Sequence, residues 1–361
     1  MSKNNSIIDD QKIELKDDIY LLDLMLADSK GQNLLYLPGP YWANKSRNIR
    51  NEIKRCGIVD FRGSRNFIGR SYADNFYIDI RNSYNYGMRR LFRLLTQIYP
   101  FSKIFESQIE LTESYVHTNI NYVQQILNLK RRVKDLLEKY KLPYSLLGNC
   151  LSKVMIDGKE YSIRYIELLD QHDHIASWID FKKAHSVFEI GGGFGVNAHL
   201  LLENYNNIRK ILYLDIPPNL YVGTQYLKAL YGDAVRDYRL TKNLEVIKFS
   251  EDDSLEILCI APWQIEKFRS AIDIFYSARC FVEMPIAVVQ NYVDKFNGFP
   301  HAKEAGVGLV AYEAFDSSKE FHANELPKIF SNRQFDCFEA EEILESPKKN
   351  FYFVSPGKFS F

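Results

Sequence analysis

Residues 187–202 read VFEIGGGFGVNAHLLL. Gly191, Gly192, Gly193 and Gly195 place four of the chain's 18 glycines within five positions, between an apolar run ending in Glu189-Ile190 and a leucine-rich segment. Glycine at that density lets a bound group lie against the backbone, where a side chain would obstruct it. A turn from a strand into a helix N-terminus also offers free N–H groups, and the carboxyl ends of parallel strands are where open α/β sheets hold ligands. A tight turn alone needs one glycine, so a bound small molecule is the expected reason for four. Asp215 closes the next apolar run, KILYLDI, about 20 residues on, where a ribose-binding acid is expected.

The elements that must carry these residues change character near residue 180. Up to that point the sequence has mostly helical periodicity. IYLLDLMLAD reads as a short amphipathic helix, and a Pro/Gly turn, a helix and an aromatic-basic loop follow in YLPGPYWANKSRNIRNEIKRCGIVDFRGSRN. From Lys103 to Leu142 apolar residues step by three and four, the face of one long helix or of two broken near Thr118-Asn119, ended by Pro143 and Gly148. From Ser186 strands alternate with helices: SVFEI, the glycine turn, VNAHLLLENY, KILYLDI, then a helix after Pro217-Pro218. LEVIKF, EILCIA, AIDIFYS and GVGLVAYEA are further strand candidates, one too many before Ser277, so LEVIKF and EILCIA are not both expected in the core. Alternation of this kind builds a doubly wound, mostly parallel sheet. QFDCFEAEEI and NFYFVSPGKFSF are joined by a connection too short for a crossover helix, so the sheet should end in an antiparallel pair. The expected architecture is α/β: a Rossmann-like sheet with an antiparallel last strand in residues 181–361, and a mainly helical N-terminal domain in residues 1–180.

Composition narrows the partners. Lys plus Arg (46) equals Asp plus Glu (46), so no overall field favours nucleic acid. The five cysteines are scattered without a CxxC pair, which suits a reduced, cytoplasmic chain rather than a disulfide or zinc framework. The polar, acidic opening MSKNNSIIDDQKIELKDD is not a secretion signal, and no apolar run approaches the roughly 20 residues of a membrane span.

Two cofactors can be drawn on the glycine turn. Gly193-Phe-Gly195-Val-Asn-Ala198 matches the dinucleotide pattern GxGxxA, whereas Glu189-Ile-Gly191-Gly-Gly193-Phe-Gly195 matches ExGxGxG. The strand ends at Ile190, so Gly191 opens the turn and the dinucleotide match starts two residues late. An acid at the strand end repels a pyrophosphate but suits a cofactor that carries a sulfonium and an ammonium group. The antiparallel end of the sheet agrees with the second pattern. Residues 186–361 thus resemble a class I S-adenosylmethionine (SAM)-dependent methyltransferase. FEIGGGFGVNAHLLL, YLDIPPNLYVGTQYL and SARCFVEMP, with LPGPYWANKSRNIRNEIKRCGIVDFRG and GKEYSIRYIELLDQHDHI upstream, are similar to the bacterial sugar O-methyltransferases. That family tends to carry N-T-R-S-x-x-E-M where this chain reads Ser277-Ala-Arg279-Cys280-Phe-Val-Glu283-Met284. Arg279 and Glu283 match; Ser277 and Cys280 depart, which leaves the acceptor open.

The resemblance implies a site. Gly191, Gly193 and Gly195 would admit the methionine part of SAM, Glu189 would reach its amino group, and Asp215 would accept from the ribose hydroxyls. Trp263 and Gln264, after the third strand, would meet the adenine. Tyr161, Arg164 and Tyr165 would lie on a helix over the cofactor, with Arg164 on its carboxylate. Glu283 is the first candidate base and Arg279 its partner or a substrate ligand, with His322, His172, His174 and His301 as alternatives. QHDHI invites a metal, but His172 and His174 two apart on a helix diverge, so no metal site is assigned, and metal assistance elsewhere stays open.

The reading that follows is methyl transfer from SAM to a hydroxyl of a sugar, nucleotide sugar or surface glycan in polysaccharide biosynthesis, with S-adenosylhomocysteine as product. A homo-oligomer stays open. The alternatives are a catalytically silent binding subunit of the same fold and a nicotinamide-dependent oxidoreductase. The N/D-P-P-Y/F run of amino-group methyltransferases is absent, and Ile216-Pro217-Pro218-Asn219 stands in the wrong place to serve for it.

Overall fold

The computed structural model describes residues 13–62, 130–143, 146–150, 152–312, 322–343 and 350–358. The helical face expected from Lys103 lies outside them as far as residue 129, as does most of the aromatic-basic loop after Arg62. The helices are α1 (Ile19–Asp28), α2 (Pro40–Cys56), α3 (Arg131–Lys139), α4 (Ile163–Ala176), α5 (Val196–Asn204), α6 (Pro217–Tyr231), α7 (Tyr238–Thr241), α8 (Ile286–Asn297) and α9 (Leu326–Ile329). The strands are β1 (Lys153–Ile156), β2 (Lys159–Ser162), β3 (Ser186–Ile190), β4 (Lys210–Leu214), β5 (Val235–Arg236), β6 (Glu256–Ile260), β7 (Ile274–Ala278), β8 (Gly306–Tyr312), β9 (Asp336–Glu339) and β10 (Asn350–Ser355).

Eight strands form one sheet in the order β5-β6-β4-β3-β7-β8-β10-β9. Pairing is parallel from β5 through β8, and β10 runs antiparallel to both β8 and β9. The central strands β3, β4 and β6 are buried at every position, as strands covered on both faces must be. The surplus strand resolves itself: EILCI is β6, while LEVIKF contributes only an isolated bridge from Ile247 to Phe268. The sequence signals missed the β1–β2 hairpin, which puts Tyr161 in a strand opposite Val154 and not on a helix.

From β3 the chain winds outward through β4 to β6, then returns to place β7 on the other side of β3. The strand order therefore reverses at β3, and a crevice opens over the carboxyl ends there. Four connections converge on it: the glycine turn after β3, Asp215 after β4, Ala261 after β6, and Arg279 to Glu283 after β7.

Each sheet face has its own core. On one, α4, α5 and α6 pack together with Leu21, Leu22 and Met25 of α1 and Ile49 and Ile53 of α2. The other is rich in phenylalanine, with ring centroids 5.0 Å apart for Phe188–Phe275, 4.7 Å for Phe275–Phe296 and 4.9 Å for Phe268–Phe299. Although α4 precedes the expected boundary at residue 180, it lies on the sheet: a methyl group at Gly308 of β8 would sit 2.8 Å from Ile175. Among the described residues no helix is long and apolar enough to cross a membrane.

Candidate active site

The glycine turn is shaped by its neighbours. A Cβ at Gly191 would fall 2.2 Å from Cys280 Sγ, at Gly192 2.4 Å from the Tyr213 ring, and at Gly195 2.9 Å from Leu227. Gly193 differs: its φ is 63°, and a Cβ there would meet nothing within 4 Å. Three of the glycines thus admit protein, and the fourth leaves an open face toward the crevice. Phe194, between Gly193 and Gly195, turns inward against Tyr226 (5.2 Å) and Phe61 (5.5 Å) and fixes the turn from behind.

Two carboxylates lie at this turn. Glu189 is aligned across the sheet with Tyr213 and Tyr276, and only 1% of it is exposed. Neither of its oxygens has a hydrogen-bond partner. Burial pushes its carboxyl up to about 7 and the Asp215 charge adds to this, while Asn197 and the Ala198 N–H lie on the side that pulls it down without closing a well-formed bond. Asp215 accepts from the Gly193 N–H at 2.9 Å and from its neighbour Ile216 N–H at 2.7 Å. Burial drives it up to about 7 as well; those two N–H groups and Asn219 oppose the shift, and the Glu283 charge reinforces it. Glu189 lies against the turn: a Cβ at Gly192 would fall 2.8 Å from its carboxyl carbon.

The connection after β7 brings in residues from elsewhere in the chain. Glu283 accepts from Trp42 Nε1–H at 2.9 Å and from the Tyr312 hydroxyl at 2.5 Å. Neither donor was singled out from the sequence. Cys280, packed on Gly191, is held in its thiol form by burial and by the charges of Asp215, Glu283 and Glu189. Arg279 is committed to the protein. Its Nη1 donates to Glu167 at 2.8 Å, its Nε donates to Asn350 at 3.1 Å, and Glu342 lies 3.6 Å from Nη2. Arg164 donates to the other oxygen of Glu167 at 2.7 Å. Both arginines expected to bind ligand thus converge on one carboxylate of α4. Against its burial, Arg279 and then Arg164 hold Glu167 down to about 2.

Gln264 corrects the adenine expectation. Its Oε1 accepts from the Ala261 N–H at 2.8 Å and its Nε2 donates to Thr241 at 3.0 Å, and at 1% exposure it offers no edge to a ligand. Trp263 is half-buried and donates to the Tyr238 hydroxyl at 3.2 Å, which in turn donates to Asp28 of α1 at 3.0 Å. Tyr161 is half-buried on β2 against the core. Among the histidines, His172 is a core residue bonded to Tyr205 at 2.7 Å and lowered to about 4 by burial. His174 lies 3.1 Å from Arg132, and His301 is exposed beside Glu304. His322 is exposed and donates its backbone N–H to Glu325 at 2.8 Å; none of its described contacts involves Glu283 or Asp215. No group of three or more His, Cys, Asp or Glu among the described residues could hold a metal ion.

No protein-family model matches the chain, and no curated protein sequence does. Solved structures are similar to it. The mitomycin 7-O-methyltransferase MmcR has 11% identity and a TM-score of 0.36, over 54% of this chain and 55% of that one. The pyocyanin biosynthetic protein PhzM has 13% identity and a TM-score of 0.36, over 54% of this chain and 56% of that one. Human N-acetylserotonin methyltransferase, solved with SAM, has 11% identity and a TM-score of 0.34, over 54% of each chain. The chain spans little more than half the length of these relatives. The strand order itself, with the last strand reversed and inserted beside β8, decides the fold. It is the class I methyltransferase fold. In that fold the glycine turn, Asp215 and the connection after β7 share one crevice.

Proposed function

We propose that the chain is a SAM-dependent O-methyltransferase that acts on a hydroxyl of a sugar or nucleotide-linked sugar. The observation that carries the reading is the open face of Gly193 beside two buried carboxylates, one of which closes no well-formed hydrogen bond within the protein. Two acids at the turn repel phosphate and call for a ligand rich in N–H, O–H and positive charge, which describes SAM and not a dinucleotide. Glu189 suits the amino group, and Asp215, whose carboxylate already takes the Gly193 and Ile216 N–H groups and Asn219, keeps acceptor capacity for a ribose hydroxyl. Bound there, SAM would supply an activated methyl carbon, the new O–C bond forming as the C–S bond breaks with its electron pair left on sulfur, so that S-adenosylhomocysteine would be the product.

The chain's own part is to place the acceptor oxygen and to take its proton. Glu283, on the connection after β7 and close enough to Asp215 for their charges to interact, is the base. The ring of Trp42 beside it, packed edge-on against Tyr41 at 6.0 Å, gives the crevice an aromatic wall from the N-terminal region. An aromatic face next to a carboxylate suits a polyhydroxylated ring, whose C–H face packs on the aromatic and whose hydroxyls reach the acid.

Calorimetric titration with SAM, S-adenosylhomocysteine and NAD tests the cofactor. Micromolar binding of the first two, without NAD, is expected; binding of NAD alone would overturn the reading. Transfer of a labelled methyl group to UDP-glucose, GDP-mannose or dTDP-rhamnose then tests the acceptor class against an isolated surface glycan.

A further inference from the structure

Glu283 is held by two elements that the sequence separates widely. Its Oε2 takes the Trp42 indole N–H, 241 residues away, and its Oε1 takes the Tyr312 hydroxyl at the end of β8. Each oxygen keeps a second lone pair. We infer that Trp42 and Tyr312 are positioning residues for the acceptor's proton acceptor, and that the first turn of α2 is thereby part of the active site. The inference rests on the methyltransferase reading above.

Three physical points support it. A free glutamate side chain samples many rotamers, and two donors from rigid elements confine it to one, which is what a near-attack geometry requires. Both supports are themselves fixed. Tyr312 is buried on β8 opposite Asn350. Gly39 at the head of α2 packs so closely on the loop after Glu283 that a Cβ there would lie 2.7 Å from Pro285. Finally, the donors cannot compete for the proton. An indole N–H only donates, and burial, with the adjacent Glu283 charge, pushes the Tyr312 hydroxyl far above its ordinary range. Glu283 is then the member of the trio that can receive the hydroxyl proton and pass it to solvent after transfer. A purely structural role for the Trp42 bond is the competing account, but α2 is already anchored by Ile49 and Ile53 in the core.

The chain has three tryptophans, so its indole N–H groups give three nitrogen-15 NMR signals, and Trp42→Phe assigns the one of interest. Glu283→Gln and Tyr312→Phe should each move that signal and leave those of Trp178 and Trp263 in place. In methyl transfer to whichever of UDP-glucose, GDP-mannose and dTDP-rhamnose is turned over, Trp42→Phe and Tyr312→Phe should each lower kcat by roughly ten- to a hundredfold. SAM affinity should stay within about twofold, since neither donor touches the turn. Added to Glu283→Gln, Trp42→Phe should cost almost nothing more. A Trp42 signal indifferent to Glu283→Gln, losses that multiply in the double variant, or SAM affinity falling in step with kcat would each overturn the inference. Absence of SAM binding in the unaltered chain would overturn the methyltransferase reading and this inference together, whereas SAM binding with an unmoved signal overturns this inference alone.

Discussion

At Gly192 an added methyl group would sit 2.4 Å from the Tyr213 ring and 2.8 Å from Glu189, whereas at Gly193 it would project into open space from a backbone at φ 63°. The two neighbours should therefore fail differently. Gly192→Ala overpacks a buried tyrosine whose hydroxyl is bonded to the Gly193 carbonyl, and should lower folding stability by about 1–3 kcal/mol. Gly193→Ala carries only the left-handed backbone penalty, about 1 kcal/mol, but should weaken SAM at least tenfold by filling the approach to the backbone. Denaturant titration and calorimetry on the pair should rank them in opposite orders. The carboxylates predict a pH dependence. Both fold with values raised to about 7, so between about 4 and 7 the folded chain holds protons that the unfolded chain has released. Stability without ligand should fall as pH rises through that window and level off above it. On the proposed binding mode, in which the amino group and ribose hydroxyls donate to the ionised carboxylates, SAM should bind more tightly over the same rise. Melting at several pH values should show the slope, and Glu189→Gln should reduce it. Glu189, the glycines and Asp215 were readable because one strand–turn–helix–strand segment encodes their spacing. Trp42 and Tyr312 were not, because what joins them to Glu283 is the packing of α2 and β8. The same cause misled the assignment of Gln264, whose amide looked available until Thr241, 23 residues away, claimed it.

Among the elements, α4 carries a charged junction beside the loop after β7. Glu167 on its inner side gathers Arg164 and Arg279, and Asn350 and Glu342 complete the tie to the start of β10. Arg279 itself adopts a left-handed backbone at φ 60°, which leads the chain from β7 into the loop bearing Cys280 and Glu283. Replacing Glu167 with Gln removes the charge shared by two guanidinium groups. Because Glu342 stays 3.6 Å from Arg279, the loss should be partial, about 2 kcal/mol, and visible as a lower denaturant midpoint. The loop after β7 should loosen with it and reduce methyl transfer more than SAM binding. Most elements were legible from periodicity: α1 spans the run IYLLDLMLAD residue for residue, and the short β9–β10 connection required their antiparallel pairing. The hairpin of β1 and β2 was missed because its four-residue strands are too short for a period to emerge, and LEVIKF was over-read because alternation alone cannot tell a strand from an extended loop with one bridge.

On the scale of the whole molecule, the N-terminal segment is built into the core that supports the crevice. Leu15, Leu21, Leu22 and Met25, with Ile49, Ile53, Ile58 and Phe61, share one cluster with Tyr213, Tyr221, Tyr226 and Ile257 of the sheet domain. Polar ties follow the same seam: Asp17 accepts from Tyr221, Arg239 reaches Asp18 at 2.7 Å, and Lys242 reaches Asp28 at 2.9 Å. A lid docked on an independently folded sheet would melt separately; a segment that shares the core cannot. Leu22→Ala removes a fully buried side chain at this seam and should cost about 2–5 kcal/mol. The loss should lower a single transition followed alike by far-ultraviolet dichroism and tryptophan fluorescence, and saturating SAM should raise both midpoints together. An early fluorescence transition with the sheet signal intact would mean that α1 and α2 lift off together. The wall that carries Trp42 would then be a closing element, and the acceptor site would form only when it docks.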